Sequence, residues 1–530
     1  MTTRYFEFVE GTSAKFWEIT LNALEISTAY GRIGATPQST TKFEANEAAA
    51  EKLFNKMIAE KTKKGYVEVI KANEAIKKIT HFATAPNYKF VNELMEFGED
   101  YIPRVGDIVE ETETEDGESV SGIVIKVKAE TIVLHSEEDN TDYEVPKYNY
   151  FAVESSPAIS AIWEKHLKNP APDGISFSDE LVSEALQHSL NKHFDELLTA
   201  EEADFHPGSG KKVRDLVHPS LYPYIKGKSK NNLASPKTKE PSHDRWGRSY
   251  ESSKYQWLPT PFAVDNEGKV DIKSYINNLD EKYTGLYTDL AKLFESALPL
   301  FESTLGYVAD TNFWTDNVAG IEHEGELPEV SNPSQKKIKP LSLKGKELQV
   351  IPKIVEYHLE EGETHEGVWH VEGMSHENII ATCVYVLDRD EAMEGGKLAF
   401  KRAYTIEEAG LLFWNVDQCR PRAVEDLVNQ GTIPLGSIET PKDRLFVFPN
   451  SHIHKLSPMS VAKGAKSAKR RVIVFWLVDP EAPIISTENV EKQQSLIPKE
   501  EALKIRLELM EERKRHKQNL NVREVSLCEH

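Results

Sequence analysis

Apolar and polar residues alternate through Lys15-Phe16-Trp17-Glu18-Ile19 and again through "EISTAYGRIG", which predicts two strands joined by a turn. The next stretch, "NEAAAEKLFNKMIAEKTKKGY", changes period. Ala49, Leu53, Met57 and Lys61 recur every fourth residue and predict a helix that Gly65 stops. Residues 100–154 return to short alternating runs, "VGDIVEE", "SGIVIKVKAETIVLH" and "TDYEVPKYNYFAV", with turn residues between them. Helical spacing takes over in "SAIWEKHLKN" and "DELVSEALQHSLNKHFDELL". Further on, "IIATCVYVL", "GGKLAFKRA", "RLFVFPN" and "RRVIVFWLVDP" are apolar runs of strand length. The tail "LIPKEEALKIRLELMEERKRHKQ" predicts a charged amphipathic helix, either solvated on the body or offered to a partner.

At 530 residues the chain is too long for one core, and a prior of about 100–200 residues per domain gives three or four units. The longest apolar run, Val472 to Val478, is far short of a membrane span, and the first residues lack a basic-then-apolar signal pattern. Cys383, Cys419 and Cys528 form no CxxC pair, so neither a zinc ribbon nor a disulfide framework is expected. A cytoplasmic protein without a membrane contact follows as the default. The net charge of −22 is unevenly spread: residues 1–80 carry 12 Lys+Arg against 10 Asp+Glu, so the remainder is strongly acidic. That body argues against broad phosphate binding, although the first module remains able to touch nucleic acid locally.

The first module resembles the WGR domain. The matching residues are 15–19 above, then Tyr30-Gly31-Arg32-Ile33-Gly34, then Lys-Lys-Gly-Tyr at 63–66, with Tyr30 where the family's name calls for tryptophan. Some WGR domains contact DNA or neighbouring domains, so the resemblance implies a docking role. The plainer reading makes Trp17 and Tyr30 core aromatics; for Arg32 the two readings weigh equally. A literal Trp-Gly-Arg at 246–248 lacks the following Ile-Gly and helix and reads as loop. Residues 100–154 look like a small SH3-like barrel. "PGSGKKV" at 207–213 is not a phosphate loop, because Phe205 and Lys212 stand where glycine and Ser or Thr are needed. His188 and His193 are five apart and do not share a helix face.

The stretch "GVWHVEGMSHENIIATCVYVL" carries the candidate chemistry. If it is a strand, His370 and Glu372 point to one face and present an imidazole beside a carboxylate. Downstream come a Gly-Gly strand, a strand ending in Phe-Pro-Asn, two histidines (His452 and His454), and two arginines opening the last strand. That order resembles a double-stranded β-helix oxygenase, whose facial triad of two histidines and a carboxylate leaves metal positions open for a co-substrate and dioxygen. Periodicity cannot choose between His452 and His454; the family's His-x-x-Ser-Pro pattern selects His454, in "HKLSP". Alternation puts Arg470 and Arg471 on opposite faces, so one of them can reach the pocket; Arg470 is preferred.

Residues from about 205 to 492 resemble the family catalogued as domain of unknown function 4246, through "FHPGSGKKVRDLVHPSLYPYI", "YQWLPTPF", "SYINNL", "LQVIPKI", "WHVEGM", "FPNSHIHKLSP" and "VDPEAPIISTENV". The resemblance implies Fe(II) held by His370, Glu372 and His454 as the catalytic centre, with 2-oxoglutarate and dioxygen as co-substrates. Arg470, Tyr357 and Tyr385 are the cofactor-binding candidates, and Trp476 and Asn450 are expected to line the pocket. Two departures are Glu372, where aspartate is commoner, and the long "KLSPMSVAKGAKSAKR" before and including Arg470.

The expected fold is multidomain α+β. It comprises a WGR module at 1–78, the SH3-like barrel at 100–154, a helical region plus a jelly-roll or cupin-like double-stranded β-helix at 156–492, and a charged C-terminal helix at 493–530. The expected activity is oxygenation of an unidentified substrate, with a protein or nucleic acid weighted above a free metabolite. Two competitors remain open: a WGR-based adaptor with a non-catalytic barrel, and hydrolysis at a zinc or manganese centre.

Overall fold

The computed structural model describes residues 2–10, 13–32, 38–68, 79–82, 101–232, 253–309, 339–403 and 432–518, apart from 115, 149–151 and 171, together with residues 90, 93, 94 and 97. The Trp-Gly-Arg run at 246–248, Cys419 and Cys528 lie outside them. The chain divides into two compact units, Met1–Ile79 and Thr80–His530.

The first unit is a five-stranded antiparallel sheet in the order Gln38–Phe43, Glu25–Arg32, Ser13–Asn22, Thr2–Glu10, Val67–Glu68. One helix, Glu47–Thr62, packs on it; Asn46 caps its start by accepting the Ala49 N–H at 2.9 Å. The core-facing stripe of that helix is Ala50, Phe54 and Ile58, with Leu53 and Met57 at its flank, one position round from the predicted stripe. Trp17 is core, packed with Phe6, Ile19 and Ile26, whereas Tyr30 and Arg32 are exposed. Lys61 lies over both Trp17 and Tyr66, 5.3 and 4.7 Å from their ring centres, and burial lowers its pKa.

In the second unit, residues 101–155 form an antiparallel sheet in the order Thr141–Pro146, Thr131–Ser136, Ser119–Val127, Ile108–Glu113, Ala152–Ser155. Its inward residues, among them Val109, Val124, Leu134 and Val145, enclose a small core of their own.

A nine-stranded sheet dominates the rest. At its centre Glu347–Glu360 and Ser467–Val478 pair antiparallel from Val350↔Leu477 to Glu360↔Ser467. Ile379–Arg389, Leu445–Pro449, Ile175–Ser178 and Thr80–Phe82 extend it on one side. On the other side Thr260–Val264 and Val270–Ile272 extend it, and Val213–Val217 also pairs with Glu347–Glu360. All four apolar runs read as strands are strands. Ile175–Ser178 is a strand inside a region expected to be helical; it separates the helices Pro157–Leu167 and Glu184–Ala200 and is too short to show a period of its own.

The two faces of this sheet are covered differently. On one face Phe475 packs against Phe262 and against Phe294 of the long helix Thr284–Ala309. On the other, which we call inner, Val386, Phe446 and Phe448 pack against Leu398, Phe400 and Leu435 of a small sheet ordered Thr432–Ile438, Leu398–Ala403, Ile453–Leu456. The remainder of the inner face, Ile351, Val355, Val472, Val474 and Trp476, is closed by Ala502, Ile505 and Leu509 of the C-terminal helix Lys499–Gln518. That helix is therefore part of a core rather than a solvated surface element. Arg506 fastens it further through a two-pronged contact with Asp204, at 2.7 and 2.9 Å. No helix among the described residues is long and apolar enough to cross a membrane.

Candidate metal centre

His370 and Glu372 do not sit on a strand. His370 makes a single antiparallel bridge with His454, after which the chain bends into a 3₁₀ turn, Ser375–Glu377. Gly373, at φ +67°, permits the bend: a Cβ there would lie 2.6 Å from Ile379 Cδ1. The two side chains still converge, because the bridge ties His370 N–H to the His454 carbonyl at 3.1 Å and His454 N–H to the His370 carbonyl at 2.9 Å. His454 is placed by the strand Ile453–Leu456, which pairs with Leu398–Ala403, and its ring rests on Phe448 at 4.8 Å.

The ligand atoms of His370, Glu372 and His454 lie within 4.8 Å of one another. The Nε2 atoms of His370 and His454 are 3.6 and 3.4 Å from the same Glu372 oxygen. The protons can be placed. His370 Nδ1 is 2.7 Å from the Val368 carbonyl and His454 Nδ1 is 3.2 Å from the His452 carbonyl. A carbonyl only accepts, so each Nδ1 carries a hydrogen, and each ring turns its Nε2 toward Glu372. Burial pushes the His454 pKa down, helped by His370 and opposed by Glu372 and the His452 carbonyl. Burial alone would raise the Glu372 carboxyl, but His370 and His454 beside it hold it well below its usual range. Two imidazole Nε2 atoms and a carboxylate facing one another are a donor set for a divalent cation when the nitrogens are unprotonated, with the Nδ1–H groups anchored on backbone.

His452 takes no part in this set. It is buried, its Nε2 donates to the Asp173 carbonyl at 2.6 Å, and its own carbonyl orients His454. Asn450, expected to line the pocket, instead clamps the loop: its Oδ1 accepts the Glu372 N–H at 3.0 Å and its Nδ2 donates to the Glu372 and Ile379 carbonyls at 2.9 and 3.0 Å.

The two arginines differ sharply. Arg471 points away from the inner face and pairs with Glu356 at 2.9 Å and Asp195 at 2.7 Å. Arg470 points inward, is 3% exposed, and has no carboxylate partner among the described residues. Its Nε has no hydrogen-bond partner and its Nη1 meets only Met459 Sδ at 3.5 Å. Burial pushes its pKa down to about 10. Tyr357 stands directly across from Arg470 on the neighbouring strand, its ring centre 5.8 Å from the guanidinium. Tyr385 is a correction. It pairs with Ile473, so alternation turns it to the helix-covered face, where its hydroxyl is 3.4 Å from Asp443. Trp476 is on the inner face and stacks on Trp257 with centroids 4.9 Å apart.

A second cluster, His206, Asp215 and His218, escaped the sequence reading. Here the protons fall the wrong way for a metal. His206 Nδ1 donates to Asp215 at 2.9 Å, and His218 Nδ1 accepts the Ser220 N–H at 3.1 Å. The His218 proton must therefore lie on Nε2, which leaves that ring no free lone pair. Arg506 lies 3.9 Å from Asp215 and balances its charge. This cluster is a buried hydrogen-bonded network. His188 is exposed, and His193 is held by Glu196 and Asp289 away from the candidate centre.

Residues 162–501 match the family described as Protein of unknown function (DUF4246), and residues 2–73 match the WGR domain. Protein YehF of Escherichia coli (strain K12) is 40% identical over 70 residues, 13% of this chain and 26% of that protein. The match thus spans about a quarter of that relative's length. Among solved structures, the Fe(II)/(alpha)ketoglutarate-dependent dioxygenase TqaL is 10% identical, covering 59% of this chain and 79% of that one, with a TM-score of 0.25. EvdO2 from Micromonospora carbonacea, complexed with 2-oxoglutarate, is 10% identical, covering 60% and 92%, with a TM-score of 0.21. A 2OG-Fe(II) oxygenase family oxidoreductase from Burkholderia pseudomallei is 12% identical, covering 27% and 47%, with a TM-score of 0.15. TM-scores this low place no constraint on the chemistry of this chain.

Proposed function

Because the chain belongs to the DUF4246 family, whose description assigns no reaction, its chemistry must be argued from the site, and we propose that it is an Fe(II)- and 2-oxoglutarate-dependent oxygenase. One observation carries the reading: the Nε2 atoms of two imidazoles, each anchored through Nδ1–H on a backbone carbonyl, converge on one buried carboxylate oxygen. His370, Glu372 and His454 would hold the metal. Iron bound there supplies the chemistry by which dioxygen and 2-oxoglutarate yield succinate, carbon dioxide and a hydroxylated substrate. The Val368 and His452 carbonyls fix the imidazole tautomers, and Asn450 fixes the Glu372 backbone.

Arg470 favours this reaction over metal-assisted hydrolysis. A buried guanidinium without a counter-ion is costly, and its planar fork suits the far carboxylate of 2-oxoglutarate. Tyr357 would flank that carboxylate. The apolar surface of Val472, Val474 and Val384 would limit water around the bound pair. In the same reading the large and small sheets form a double-stranded β-helix and residues 100–154 an SH3-like barrel. The WGR module would dock DNA or another domain, and the substrate would be a protein or nucleic acid in the cytoplasm.

The test is the absorption band that 2-oxoglutarate induces on the anaerobic Fe(II) protein. Arg470→Ala is expected to weaken 2-oxoglutarate binding by about 3 kcal/mol, roughly a hundredfold, because it strands the ligand's carboxylate. Arg471→Ala should leave that affinity alone and lower stability instead, since it strands Glu356. The reading fails if wild-type protein shows no band, and the Arg470 assignment fails if Arg471→Ala is the variant that loses it.

A further inference from the structure

A metal ligand on a loop needs outside support to hold its geometry. Between His370 and the strand that begins at Ile379 the chain offers only a bend and one 3₁₀ turn. Asn450 holds the start of this segment. Glu377 holds its end. This carboxylate is fully buried and accepts the Trp257 N–H at 2.6 Å, the Met374 N–H at 2.8 Å and Arg513 Nη2 at 2.5 Å. Its Oε2 lies 2.9 Å from where a Cβ on Gly373 would stand, so the residue following Glu372 closes directly onto it.

Arg513 comes from the C-terminal helix and is 6% exposed. Its guanidinium lies 3.9 Å over the Trp257 ring, which in turn stacks on Trp476 of the inner face. Its Nε and Nη1 are buried without hydrogen-bond partners. A guanidinium left two-thirds unsatisfied is a poor device for docking a helix. Docking is already supplied by Ala502, Ile505 and Leu509 and by the Arg506–Asp204 contact. Among the described residues of this helix, Arg513 is the one bonded to Glu377.

We propose that Arg513, acting through Glu377, is a positioning residue for Glu372, so that the C-terminal helix sets the geometry of the metal-binding loop. The proposal rests on the metal-centre reading. Its test uses Co(II) alone as probe, because the visible spectrum of Co(II) reports its coordination. Arg513→Met is expected to bind Co(II) about ten- to a hundredfold more weakly than wild type and to alter the spectrum. Arg513→Lys should restore part of both. Should Arg513→Met fail to fold because Glu377 is left unpaired, the double variant Glu377→Gln with Arg513→Met removes both charges and decides the matter, with the same weakening expected. A folded variant that binds Co(II) within twofold of wild type, with the wild-type spectrum, overturns the inference while leaving the metal centre standing. Wild-type protein that takes up no Co(II) overturns both.

Discussion

His370→Ala protein should retain its fold, lose iron binding at micromolar metal, and form no succinate from 2-oxoglutarate above the metal-free background. Outer partners of metal-binding histidines are worth about ten- to a hundredfold in affinity, so removing one of three direct ligands should exceed a hundredfold. Glu372→Gln is the sharper variant. It keeps the shape of the side chain and the Asn450 clamp on its backbone but removes the negative charge toward which both Nε2 atoms point. The control is His206→Ala. That histidine belongs to the other cluster, where His218 has no lone pair to offer, so iron binding should be unchanged. Iron uptake that survives His370→Ala and disappears in His206→Ala would place the metal in the wrong cluster and end the oxygenase reading.

Acid should destabilise the larger unit well before Asp215 and Glu372 are titrated. Burial pushes the His218 pKa down to about 3 against an ordinary 6.5. Asp215 beside it pulls the other way, while Lys353, His206 and Arg506 reinforce the depression. The unfolded chain therefore takes up a proton that the folded one refuses. The stability tied to His218 is complete above about pH 6.5 and is lost as pH falls toward the folded value. Between pH 6.5 and 4 that loss comes to about 3 kcal/mol, a large part of a typical domain's stability. Asp215 and Glu372, both held below the carboxylate range, add losses only below about pH 4. His218→Asn isolates the effect. An Asn side chain can accept the Ser220 N–H from a similar position but cannot titrate. Urea unfolding at pH 7, 6, 5 and 4 should show a shallower pH dependence in this variant, by up to ~1.4 kcal/mol per pH unit. Parallel curves for the two proteins would show that the fold does not depress the His218 pKa.

What could be read from the chain follows from how each element is buried. Strands covered on both sides are continuous apolar runs, so Ile379–Arg389, Leu445–Pro449 and Ser467–Val478 announce themselves. Alternation separates Arg470 from Arg471, but which face is the inner one depends on what covers each: Asp195 on a helix for one, and no carboxylate partner among the described residues for the other. Tyr385 is a candidate on resemblance alone, and alternation through its partner Ile473 turns it to the other face. His370 and Glu372 meet through a bridge and a glycine bend rather than through strand periodicity, so the expectation reached the right pair through the wrong element. Glu377 and Arg513 had no local signal at all, since a contact across 136 positions leaves no periodic trace. The C-terminal helix looked solvated because two arginines on its buried side, Arg506 and Arg513, read as surface residues until their acidic partners are seen.

That long reach has a consequence for biosynthesis. Translation proceeds at about 5–20 residues per second, so the 136 positions between Glu377 and Arg513 correspond to roughly 7–27 seconds on the ribosome. The central pair of the large sheet is also completed late, because Glu347–Glu360 must wait for Ser467–Val478. The nascent chain thus carries His370 and Glu372 through this interval without their fastening. On the roles proposed for His370, Glu372, His454 and Arg513, metal affinity is expected to rise a further ten- to hundredfold, roughly, once Lys499–Gln518 has been made and has docked.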